Sequence, residues 1–257
     1  MADLDLIVKQ FDKKNNHFTF DDIPDLTGKV TVVTGGNAGI GYITCRELAK
    51  KNAHVFVLSR NIERGQTAVE KIKSETGNRN IEFLQLDLKS LKSIKECADK
   101  FLARNLPLHI LINNAGVTTT AFSLTEDGIQ EEFGLFTKLL LPKIKASQPA
   151  RIVNLSSHAH QLVPEGGIEF EKLNDPNAFD SMPHMSKRND VSAPETFLST
   201  TISADDGAIT TLYCATSPEI EEKNYRGKYF EPFGDEKLVT KRETKGVTTR
   251  KWLFGTT

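Results

Sequence analysis

Long apolar runs are missing from this sequence: no stretch approaches the roughly 18 residues that a membrane-spanning helix needs. Residues 1–25 carry acidic and basic side chains throughout and lack the apolar centre of a signal peptide, so the cytosol is the expected compartment. A surplus of one charge is missing too. Lys and Arg number 33 against 34 Asp and Glu, a net charge of −1, which gives no electrostatic case for nucleic acid or an anionic membrane as partner. Cysteine is scarce. Cys45, Cys97 and Cys214 are odd in number, far apart and mostly inside helical patterns, which excludes a disulfide framework and predicts reduced core thiols. No metal site is expected, and neither internal repeats nor low-complexity segments occur. A chain of 257 residues is nevertheless long enough to bury a full core as one domain.

What is present is organised around one stretch. The apolar run Val30-Thr31-Val32-Val33 leads into Thr34-Gly35-Gly36-Asn37-Ala38-Gly39-Ile40-Gly41, and then into Tyr42 to Ala49 at helical spacing. Strand, tight glycine turn and helix in that order present a helix N-terminus, with its free N–H groups, to a pyrophosphate. Gly35 permits the turn, Gly39 the close backbone approach and Gly41 close packing of helix on strand. Downstream, strands are predicted over 54–59, 81–86, 108–112 and 151–155. A helix is predicted over 62–75, capped by Asn61 and stopped at Gly77. Another is marked by Leu91, Ile94, Cys97 and Phe101, and a third starts at Ser203 with Asp206 in a capping-box-like arrangement and runs through Ala215. Residues 228–230 read as a last short strand. Alternating strands and helices imply a parallel sheet with helices on both faces and ligands at the strand C-terminal ends.

Thr34-Gly35-xxx-Gly39-x-Gly41, Asn113-Asn114-Ala115-Gly116 and Asn154-Leu155-Ser156-Ser157 follow one another in the order and approximate spacing of the short-chain dehydrogenases/reductases, and the chain resembles that family. Arg151 to His160, and Asp206 to Ala215, resemble its retinol-dehydrogenase and WW-domain-oxidoreductase-like branch. The resemblance covers about residues 25–235. It implies an α/β, Rossmann-type doubly wound parallel sheet in three layers, forming a single domain over 26–235, preceded by an arm (1–25) and followed by a tail or helix (236–257). Two departures stand out. About two helical turns are missing between Gly134 and Leu135, and between Lys187 and Ser203 the polar residues present cannot supply the family's long helix, sixth strand and substrate-covering loop. Marginal stability, an uncovered apolar face and impaired homodimerisation are the expected consequences.

The resemblance also implies a site. Gly35, Asn37, Gly39, Ile40 and Gly41 hold a cofactor pyrophosphate, Asp87 and Leu88 bracket the adenine, and Asn114, Ala115 and Gly116 lie along the cofactor. At the end of the second strand stand Ser59 and Arg60, where enzymes using NAD usually place a carboxylate for the ribose 2′-OH. A guanidinium there suits a 2′-phosphate, so NADP(H) is favoured over NAD(H). The implied reaction is hydride transfer between nicotinamide and a small apolar alcohol or carbonyl compound such as a retinoid, sterol or lipid aldehyde. Ser157 matches the family's catalytic serine and Lys187 its lysine. The catalytic tyrosine, four residues before that lysine, is replaced by Pro183, and none of Tyr42, Tyr213, Tyr225 and Tyr229 has a lysine four residues later. His184 is the nearest substitute proton shuttle, while His158 and His160 read as surface residues. Activity is therefore expected to be impaired. The alternatives are a catalytically inactive dinucleotide-binding relative, or a splice or gene-model variant without function.

Overall fold

The structure, a computed structural model, describes residues 18–116, 133–156, 203–231 and 234–237. Five strands, β1 (Val30–Thr34), β2 (His54–Ser59), β3 (Ile81–Gln85), β4 (Ile110–Asn113) and β5 (Arg151–Asn154), form an all-parallel sheet in the order β3-β2-β1-β4-β5. The strands are β-branched and apolar on both faces because both are covered. Val33, Val55, Val57, Ile110 and Ile112 enter one core with Leu48, Ile72 and Leu212. Val32, Phe56, Leu58 and Leu111 enter the other with Ile94, Phe101, Phe136 and Leu140. The first core lies under α1 (Gly39–Lys50), α2 (Ile62–Thr76) and α5 (Ala204–Thr216), and the second under α3 (Leu91–Leu102) and α4 (Phe133–Ala146). The result is the expected three-layer Rossmann-type architecture.

Local signals in the sequence set the helix ends. Asn61 Oδ1 accepts the Arg64 N–H at 2.8 Å, and α2 stops at Gly77, which takes up φ 73° as a left-handed cap. Ser90 and Ser203 cap α3 and α5 in the same way, through the N–H groups of Ser93 and Asp206. Cys45, Cys97 and Cys214 are free thiols, and burial raises the pKa of each, to about 12 for Cys97 and Cys214. Residues 18–26 pack on the domain: Phe18, Ile23 and Leu26 are buried, and Phe18 meets Tyr213 edge to face at 5.5 Å.

Three expectations are corrected. First, the missing turns leave no break in the helix: α4 runs continuously through Gly134 and Leu135 and past Pro142. Phe136, Leu140 and Ile144 recur at helical spacing and are buried, and that burial outweighs the one hydrogen bond Pro142 cannot make. Second, Tyr229–Glu231 (β6) pairs antiparallel with Asp235–Lys237 (β7), so Glu236 and Lys237 belong to a hairpin strand rather than to a tail or helix. A short helix, α6 (Glu219–Glu222), precedes it. Third, among the described residues no broad apolar face of the sheet stands uncovered. Val153 and Leu155 pack into the first core and Ile152 into the second, and among the described residues Ile62 is the one large hydrophobic side chain that stands exposed. Among the described residues the parallel sheet has five strands, and no helix is long and apolar enough to cross a membrane.

Candidate functional site

The strand order reverses between β1 and β4, so the connections after these two strands leave toward opposite faces of the sheet, the place where open parallel sheets form a ligand crevice. The glycine turn and the Asn113-Asn114-Ala115-Gly116 segment meet at this point. Thr34 Oγ1 accepts the N–H of Asn114 at 3.1 Å and that of Ala115 at 2.9 Å. Asn114 Nδ2 returns a bond to the Thr34 carbonyl at 2.9 Å and reaches that of Gly35 at 3.4 Å. Four hydrogen bonds thus lock the turn after β1 to the turn after β4.

The glycines are required by space and by conformation. Gly35 and Gly39 have φ of 65° and 54°. A Cβ at Gly41 lies 2.3 Å from the Gly35 carbonyl oxygen, and one at Gly36 lies 2.8 Å from Cys45 Sγ. A side chain at Gly41 fits only if the backbone moves, and one at Gly36 only if the buried Cys45 side chain shifts. The helix behind the turn also differs from its neighbours. No side chain caps α1, whose N-cap is Ala38, whereas Asn61, Ser90 and Ser203 cap α2, α3 and α5. The first-turn N–H groups of α1, together with the positive end of its dipole, therefore face the crevice unclaimed by any capping side chain. Asn37 and Ile40 flank this end, each partly buried.

Along the crevice rim the β2–α2 loop carries Ser59 and Arg60. Ser59 is buried and its Oγ donates to the Asn61 carbonyl at 3.0 Å. Arg60 is exposed, and its guanidinium makes no ion pair among the described residues. After β3, Asp87 and Leu88 form the next turn, which Asp87 closes by accepting the Lys89 N–H and donating its own N–H to Ser93 Oγ. On the far side, Asn113 Nδ2 donates to Thr137 Oγ1 at 3.0 Å and to Asn154 Oδ1 at 2.8 Å, which ties β4, β5 and α4 together.

The structure thus brings Gly35, Gly41, Asn114 and Ala115 into contact, while Asn37, Gly39, Ile40, Gly116, Ser59, Arg60, Asp87 and Leu88 follow strand ends on the same C-terminal edge of the sheet. Ser157 and Lys187 lie outside the described residues, as do Pro183 and the histidines at 158, 160 and 184. Thr34 is not among the residues the motif implies for the site, yet its hydroxyl accepts two of the four bonds of the lock. The available signal was a hydroxyl residue placed at the last position of a strand that feeds a glycine turn. Among the described residues no group of His, Cys, Asp and Glu is placed to hold a metal ion. A polar cleft of about 490 Å³, lined by Thr27, Asn52, Thr76 and Asn78, lies at the opposite end of the sheet.

A family model described as short chain dehydrogenase matches residues 29–168, more than half of the chain. The chain belongs to the short-chain dehydrogenase family. The match takes in the glycine turn, the Asn114 segment and β5. Among curated proteins, this short-chain dehydrogenase is 46% identical to human retinol dehydrogenase 11 over 155 residues, 58% of this chain and 48% of that protein. It is 42% identical to an uncharacterized oxidoreductase of Schizosaccharomyces pombe over 173 residues, 62% of this chain and 51% of the relative. The chain spans about half the length of the curated relatives it matches. A crystal structure of a protein from Mycobacterium paratuberculosis is similar over 90% of this chain and 92% of that one, with 27% identity and a TM-score of 0.63.

Proposed function

We propose that this chain binds NADP(H) and is by class an oxidoreductase that moves hydride between the nicotinamide and an apolar alcohol or carbonyl compound. The observation that carries the reading is the uncapped α1 N-terminus behind a turn in which Gly41 has no room for a Cβ. A cradle of that kind fits a phosphate or pyrophosphate group. In this reading Gly35, Asn37, Gly39, Ile40 and Gly41 hold the pyrophosphate, Asp87 and Leu88 bracket the adenine, and Asn114, Ala115 and Gly116 line the remaining length. The exposed guanidinium of Arg60, with Ser59 beside it, receives the 2′-phosphate through planar, charge-assisted contacts. The bound nicotinamide supplies a carbon that gives or takes the hydride. Retinol dehydrogenase 11, similar over its matched part, makes a retinoid the first substrate to try.

The chain's own residues must orient the substrate oxygen and exchange its proton. Ser157 is the proposed orienting hydroxyl and Lys187 the proposed ammonium, but the phenol that belongs between them is replaced by Pro183. Two other tyrosines are held the wrong way for the task. Tyr42 is pushed up to about 12 by burial and by its bond to Glu75, and Tyr213 is raised by burial and by Glu219. Both phenols stay neutral where a proton shuttle needs a lowered pKa. Loss of a positioned general acid/base typically costs ~10²–10⁴ in rate, so turnover in this chain is impaired. The same substitution favours a second reading, a dinucleotide-binding relative without turnover.

Titration with NADPH and NADH, followed by single-turnover reduction of all-trans-retinal, tests both parts. Micromolar NADPH binding with little or no retinal reduction supports the reading. Absence of dinucleotide binding overturns it, and brisk reduction abolished by Ser157→Ala overturns the claim of impairment.

A further inference from the structure

The loop that carries Arg60 is held through the carbonyls of Ser59, Arg60 and Asn61. The Ser59 carbonyl accepts the Leu86 N–H at 3.0 Å, Ser59 Oγ donates to the Asn61 carbonyl, and Asn61 is committed to capping α2. The third carbonyl is that of Arg60 itself. Its partner comes from another strand: parallel register sets Gln85, the last residue of β3, beside Ser59, and Gln85 Nε2 donates to the Arg60 carbonyl at 3.2 Å.

We propose that Gln85 is a positioning residue for cofactor choice, holding the Arg60 peptide so that the loop presents a guanidinium rather than a bare carbonyl to the cofactor's 2′ position. The inference rests on the NADP(H) reading above. A carbonyl oxygen carries partial negative charge and two lone pairs. Left unpaired beside a 2′-phosphate it repels a dianion; beside the 2′-OH of NAD(H) it accepts a hydrogen bond. The Gln85 amide engages one of those lone pairs, which lessens the repulsion and makes the oxygen a poorer acceptor for NAD(H). It also fixes the backbone from which the Arg60 side chain extends, so that less freedom is lost when the phosphate is clamped. The role belongs to the difference between two cofactors, not to binding as such.

The test is direct titration of the full chain with NADPH and NADH, read by nicotinamide fluorescence, for the native protein, Gln85→Leu, Gln85→Lys, Arg60→Ala and the Arg60→Ala/Gln85→Leu double variant. Gln85→Leu is expected to weaken NADPH about fivefold, the size of one net hydrogen bond, while NADH stays level or improves. Gln85→Lys keeps a donor for the carbonyl and is expected to retain the NADPH preference, which separates loss of the bond from loss of the fold. In the Arg60→Ala background, Gln85→Leu is expected to weaken NADPH less than it does in the native chain, because only the carbonyl's repulsion is then left to lose. Equal weakening of both cofactors by Gln85→Leu, or no change in either, overturns the inference while leaving the Arg60 reading intact. A native chain indifferent to the two cofactors, or an Arg60→Ala variant with unchanged preference, overturns the NADP(H) reading and this inference with it.

Discussion

The two sides of the sheet are built to different standards. On the β3-β2-β1 side, strands pair over five residues each, every residue of β1 is buried, and His54 is the one residue of β2 that is not. On the β4-β5 side all of β4 is buried, but the edge pairing covers four residues and none of β5 is fully buried, whereas the opposite edge strand, β3, buries Ile81 and Leu84. The first side carries the glycine turn and the Arg60 loop. The second leads into the segments that the family devotes to catalysis. Burial depth and ladder length set local stability, so the cofactor side is the rigid frame and the β5 side the part that opens first.

Core substitutions probe that contrast most strongly. Phe56, fully buried and packed edge to face on Phe101 at 5.1 Å, is expected to cost about 4 kcal/mol on truncation to Ala. Val153→Ala on half-buried β5 is expected to cost about 1 kcal/mol. Urea melts of the two variants measure the difference, and equal costs would remove the asymmetry. Next in size is Gly41→Ala. Its Cβ meets the Gly35 carbonyl at 2.3 Å, so the turn must shift, at about 2 kcal/mol of stability, with loss of dinucleotide binding. Calorimetric titration with NADPH checks the second effect separately from the first.

A smaller effect tests the capping contrast. Asn61→Ala removes the α2 cap and is expected to cost about 1 kcal/mol, whereas Ala38→Ser, which offers α1 a capping hydroxyl, is expected to compete with the cofactor and weaken its binding. The smallest effect lies at the foot of the sheet. His109 Nδ1 accepts the Val30 N–H at 3.0 Å, and burial, with Lys29 nearby, lowers its pKa below the ordinary 6.5. The folded chain therefore takes up this proton less readily than the unfolded one. Its contribution is present above pH 6.5 and is lost as pH falls through the lowered folded value. His109→Asn, which keeps an acceptor but does not titrate, is expected to flatten the urea midpoint between pH 7.5 and 5.5.

What could be read from the sequence was local. The Asn61 cap, the Gly77 stop and the Ser203 cap depend on a residue and its next few neighbours, and the structure keeps all three. The glycine turn was legible because strand, glycines and helix adjoin. What could not be read was set by tertiary contact. Pro142 signals a helix end, but the burial of Leu140 and Ile144 carries α4 past it. The β6–β7 hairpin needs a pairing partner that residue patterns did not point to. Gln85 is an unremarkable polar residue at a strand end until parallel register sets it beside Ser59. The catalytic reading rests on Ser157, Pro183 and Lys187, which lie outside the described residues, so it stands on motif alone.

The most direct test of the central claim is a thermal melt of the full chain with NADPH, with NADH and without either, repeated for Gly41→Ala. A ligand at ~100 times its Kd adds about 2.7 kcal/mol of stability to a folded chain. The account predicts one cooperative transition raised by several degrees with NADPH, raised less with NADH, and insensitive to both in Gly41→Ala. A native transition that neither dinucleotide moves would contradict it.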